Sequence, residues 1–310
     1  SAPQAESVTN QAPAVLAPTA QRGHFNLSPV ADQPDPEEIL RRVSVVMWAV
    51  VAGMAASLFL RLPTFVFSLE ALGSPMSITV SDATLMAFFI AAVAASGAEM
   101  VVGAHPAFHR GEGGSRLRSI PYWALPAALS ILTVLLIPQA PTRIFQVAVL
   151  AGGSFSVAVS LFSLYATVDP SVTGFRRSRL LLNVLAYGAA LVLFLLVYQT
   201  RTRSLLSGTL VAATAALLAT ELLRTYTRRA DLVLSYAAIV GLILGQVTWA
   251  LNYWPLPGLT GGLLLLLIFY LTVGLAQQGL ENHLNRRVIL EFAFFGVLAL
   301  ILIAVVGPGF

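Results

Sequence analysis

The stretch RRSRLLLNVLAYGAALVLFLLVY, residues 176–198, decides the fold. Three arginines, Arg176, Arg177 and Arg179, give way to an apolar run over 180–198 that holds one amide, Asn183. A helix needs about 20 apolar residues to cross the ~30 Å hydrocarbon core of a bilayer, so this run is long enough. Arginines gathered at one end of such a run mark the end that stays inside.

The same unit recurs along the chain. Apolar runs of this length fall at 43–60, 83–103, 121–137, 144–168, 180–198, 204–223, 232–253, 258–276 and 288–306. Composition agrees: 57% of the 310 residues are hydrophobic and only 10% charged, against roughly 25% charged in a soluble domain. The expected fold is an all-α integral membrane protein with a bundle of about nine transmembrane helices. Pro138 and Pro141 separate the third and fourth runs, and Pro255 and Pro257 the seventh and eighth. Asp82 and Asp231 stand just before two runs and read as helix caps. The segment 63–81 is apolar but short, broken by Gly73 and Pro75, and reads as a re-entrant or interfacial piece.

Residues 1–34 are rich in Ala, Pro and Gln and read as an extended or disordered arm. They lack the basic and apolar regions of a secretory signal, so no cleavage is expected there. Helical sequence begins at Asp35-Pro36-Glu37-Glu38, where Asp35 is placed to cap, Pro36 suits the first helical position and the acids favour the positive end of the dipole.

All the basic residues are arginine. With nine spans and a cytoplasmic N-terminus, fourteen arginines fall inside and four outside: Arg61, Arg143, Arg201 and Arg203. That asymmetry expects an N-in, C-out protein of the cytoplasmic membrane. The net charge of +4 is then an orientation and headgroup signal, and no nucleic-acid partner is expected.

The missing residue types exclude chemistry. Without lysine there is no retinal or pyridoxal Schiff base, and without cysteine no thiolate metal site, iron–sulfur cluster or disulfide. The histidines His24, His105, His109 and His283 fall in the arm and loops, so no metal site and no covalent cofactor are expected, while lipid or quinone contact is.

Three carboxylates, Glu99, Glu221 and Glu291, lie inside apolar runs, about one turn from the inside face, and Gln246 lies deeper. Acids at membrane depth are costly and suggest a polar cluster that relays protons or holds a headgroup. The competing expectation is local pairing: Glu221 with Arg224 three residues on, and Glu291 with Arg287 four residues back. Asn183 and Asn252 fit interhelical hydrogen bonding.

Small residues recur every fourth position at Ala148, Gly152, Ser156 and Ser160, and at Gly208, Ala212, Ala216 and Thr220. That spacing lets helix backbones approach closely, within the chain or against a partner. The resulting expectation is a non-catalytic subunit of a larger membrane complex, of the energy-transducing, quinone- or proton-handling kind. Its partners are lipids and other membrane subunits. The competitor is a transporter or flippase-like carrier of a small apolar or amphiphilic molecule, with Glu99, Glu221, Glu291 and Gln246 along its path.

Overall fold

The computed structural model describes residues 36–60, 63–71, 74–105, 108, 119–169, 174–199, 204–227, 229–253 and 258–306. The arm 1–34, Asp35, His24, His109, Pro255 and Pro257 lie outside the described residues.

Nine α-helices are present among the described residues: α1 Pro36–Ala56, α2 Asp82–Gly103, α3 Ile120–Leu136, α4 Arg143–Ala166, α5 Phe175–Gln199, α6 Ser204–Leu223, α7 Ala230–Leu251, α8 Gly258–Leu280 and α9 Arg286–Val306. Each falls on one of the nine apolar runs. Seven of them (α1 to α5, α7 and α8) are long and apolar enough to cross a membrane by length and composition. In a bilayer the helix is the natural outcome for such sequence, because it satisfies every backbone polar group within the segment.

The helix ends follow local chemistry. Pro36 opens α1 with Glu37 and Glu38 in its first turn. Pro138 turns the end of α3 into a 3-10 turn, Ile137–Gln139, because it supplies no amide to continue the ladder. Two expected caps are displaced by a residue or two. Ser81 caps α2, its Oγ accepting from the Thr84 amide at 3.2 Å, and Asp82 is the first helical residue. Asp231 sits inside the first turn of α7 and pairs with Arg229 at 2.7 Å instead of capping. A hydroxyl reaches the third amide from the cap position, whereas an acid inside the first turn meets the dipole without that bond.

The segment 63–81, expected as a re-entrant or interfacial piece, is built of strands. It forms an antiparallel hairpin of β1, Phe65–Ala71, and β2, Ser74–Val80, with Phe65 opposite Val80 and Ala71 opposite Ser74. The run is too short to span, and its Phe-Val-Phe and Ile-Thr-Val stretches favour strand pairing, which satisfies the backbone groups across the ladder. The fold is thus helical with one hairpin between α1 and α2.

α3 packs against α1, α2, α4, α5, α6 and α7 and forms the centre of the bundle. Leu125 on α3, Leu161 and Leu164 on α4, Phe194 on α5 and Phe269 on α8 are fully buried, and the last two meet edge to face at 5.6 Å. The most extensive helix pair is α6 with α7. α9 packs on α8 at the edge of the bundle.

Candidate functional site

At one end of the bundle the starts of α3 and α5 meet the ends of α4 and α6 around a buried ion pair. Glu221 lies in the last turn of α6 and Arg224 just past it, with Arg224 Nε 2.8 Å from Glu221 Oε2. The two side chains are 0% and 3% exposed. Arg224 also donates through Nη2 to Thr167 Oγ1 at 2.9 Å, at the end of α4, and lies 4.5 Å from the centroid of the Tyr122 ring on α3. This arginine therefore has an anion, a hydroxyl acceptor and an aromatic face at once. Such a set is what an arginine needs to stay charged without water.

Arg179, near the start of α5, reaches the same place from the other side. Its Nη2 donates to the Leu222 carbonyl at 2.6 Å and its Nη1 to the Glu221 carbonyl at 3.5 Å, while the guanidinium lies 5.6 Å from the Tyr226 ring centroid. These carbonyls belong to the last turn of α6, which has no amide of its own to bond them. A cation there also meets the negative end of the helix dipole. Four helices are clamped by one acid and two arginines. Among the described residues, Glu221 Oε1 and Asn183 Oδ1 are buried with no hydrogen-bond partner.

The other polar residues expected from the sequence lie apart from this pair. Glu99, exposed near the end of α2, accepts from Ser119 Oγ at 3.4 Å. Glu291 on α9 faces Arg287 at 3.4 Å with side chains 58% and 88% exposed. Gln246 is exposed and follows Gly245, which contacts Gly208 at the start of α6, so it sits at the far end of α6 and α7 from Glu221. The structure brings Glu221 and Arg224 together, as the local-pairing expectation had it, and gathers no cluster of three acids and Gln246. Glu291→Gln is accordingly expected to leave the melting temperature and expression unchanged, because exposed pairs contribute little. A loss of folded protein in a detergent-solubilised melt would count against that placement.

Sequence reading missed Arg179, Tyr122 and Thr167. Arg179 was hidden among arginines that read as an orientation signal, and nothing local distinguishes the one that turns inward. Of the histidines, His105 packs on Tyr165 with ring centroids 4.8 Å apart, and His283 lies 3.6 Å from Glu281 in an exposed turn. Among the described residues no three of His, Asp and Glu come together as a metal site.

The two small-residue stripes have different fates. Gly208, Ala212 and Ala216 on α6 are filled by Gly241 and Gly245 on α7. A Cβ added at Gly241 would lie 2.5 Å from the Ala212 carbonyl oxygen and 2.8 Å from the Ala216 Cβ. The signal was legible, since Gly241-Leu-Ile-Leu-Gly245 has the spacing of a close-packing pair. On α4, by contrast, Ala148 and Gly152 are exposed, Ser156 is half-buried and Ser160 is buried, and among the described residues nothing lies within 4 Å of a Cβ built at Gly152.

Long apolar helices, a buried ion pair at their ends and glycine-mediated backbone contacts define a multi-pass helical membrane protein. The chain belongs to the family described as "Protein of unknown function (DUF5656)", whose pattern matches residues 62–306. No curated protein and no solved structure matches it.

Proposed function

We propose that this protein is a non-catalytic subunit of a larger membrane complex, of the energy-transducing kind that handles quinone or protons. It spans the cytoplasmic membrane nine times with the N-terminus inside, an orientation supported by the fourteen-to-four division of arginines. The observation that carries the reading is the exposed first half of the α4 stripe, Ala148 and Gly152. The matching stripe on α6 is closed by α7, but Ala148 and Gly152 face outward beside the exposed Ala151. Lipid gains nothing from small residues, whereas a neighbouring helix gains close van der Waals packing. The placement of Glu99, Glu291 and Gln246 on exposed positions also leaves a carrier without its expected lining.

The chain contains no cysteine, so Gly152→Cys introduces a single reactive thiol. Cross-linking in native membranes followed by mass spectrometry is expected to give an adduct with another membrane subunit at position 152. Ala215→Cys, at a fully buried position on α6, should give none. Removing residues 1–34 is expected to loosen partners during purification in mild detergent. A full-length protein that migrates as a lone monomer and gives no adduct at 152 would sink the assembly reading.

A further inference from the structure

We propose that a cavity at the other end of the bundle binds a lipid through an anionic phosphate headgroup. The cavity has a volume of about 310 Å³ and lies where α1 and α3 end and α2 and α4 begin. All four are among the long apolar helices, so their shared end is where hydrocarbon gives way to headgroups. This volume is at the small end of ligand sites, enough for a headgroup and the first part of its chains.

The walls divide by chemistry. Leu58, Met86 and Ile137 line the apolar side, and Thr142, Arg143 and Gln146, from the start of α4, the polar one. Asp82, from the start of α2, also borders the cavity, with its Oδ1 accepting from the Ala83 amide at 2.8 Å. That places its negative charge against the positive end of α2, where the two offset each other.

α4 is the reverse case. Its first turn holds no acid and begins with Arg143, a cation at the positive end of a helix dipole. Arg143 donates to Gln146 Oε1 at 3.2 Å, and among the described residues no carboxylate pairs with it. Like signs at one helix end are unfavourable unless an anion sits between them. A phosphate at this point accepts from the guanidinium and from the first amides of α4, at Arg143 and Ile144, the Phe145 amide being held by Thr142 Oγ1 at 3.4 Å. The apolar wall beside it calls for hydrocarbon attached to that phosphate.

The test uses the full chain, delipidated in a nonionic detergent, with phosphatidylglycerol, diacylglycerol of the same chains and glycerol phosphate as separate probes. Binding is read by native mass spectrometry and by the rise in melting temperature. Phosphatidylglycerol alone is expected to bind and stabilise. Arg143→Gln, an exposed position that folding does not need, should weaken that binding about tenfold. Leu58→Trp, which fills the apolar side, should also weaken it. Equal stabilisation by diacylglycerol removes the phosphate from the proposal, and full stabilisation by glycerol phosphate removes the lipid. Undiminished binding in Arg143→Gln overturns the site.

Discussion

Replacing Arg224 with alanine is expected to destabilise the protein by about 3–5 kcal/mol, the range for removing one partner of a buried ion pair. The loss is large because Glu221 stays behind, 0% exposed, with Oε1 already unpartnered and Oε2 newly so. Arg179 cannot substitute while it holds the Glu221 and Leu222 carbonyls. Unfolding in mixed detergent micelles, followed by circular dichroism, measures the change. The double variant Glu221→Leu, Arg224→Met should recover much of the loss, since an apolar pair of similar volume leaves no stranded charge. If Arg224→Ala unfolds within 1 kcal/mol of the parent, a threshold set by the ~0–1 kcal/mol of exposed pairs, the pair is not the buried clamp drawn above.

Gly241→Leu should come next in size. Its Cβ alone would press on the Ala212 carbonyl oxygen at 2.5 Å and on the Ala216 Cβ at 2.8 Å. Backbone cannot rotate away as a side chain can, so α6 and α7 must separate. Overpacking of this kind costs about 1–3 kcal/mol, and the remaining leucine atoms take it to the top of that range or beyond. Gly241→Ala should lie between the parent and the leucine variant. Gly152→Leu is the control, because open space surrounds that position. It should melt like the parent yet lose the partner that co-purifies in mild detergent. If both leucine variants melt alike, the α6–α7 contact is not the tight seam described.

Much of the helical framework was legible before any tertiary contact was known. Residues 83–103 and 204–223 coincide with α2 and α6 to within a residue, because an unbroken apolar run in a bilayer has one economical backbone solution. The hairpin was not legible as such, since a short apolar segment with Gly73 and Pro75 serves an interfacial piece as well as paired strands. The polar site was legible only as far as one helix turn reaches. Glu221 with Arg224 follows from a spacing of three residues, whereas Arg179 and Thr167 arrive from α5 and α4.

Composition and spacing by themselves determined a multi-pass helical chain, the chemistry closed to it without lysine or cysteine, and which acids have an arginine in local reach. Tertiary structure alone decided that Glu221 is buried while Glu291 is exposed, that the α6 stripe is closed and the α4 stripe exposed at Ala148 and Gly152, and that Arg143 borders a cavity. The reason is the solvent. Lipid tails are as apolar as leucine, so a membrane helix carries hydrophobic residues on its buried and exposed faces alike. The period that tells inside from outside in a soluble helix is therefore faint, and only the packed helices show which side each residue faces.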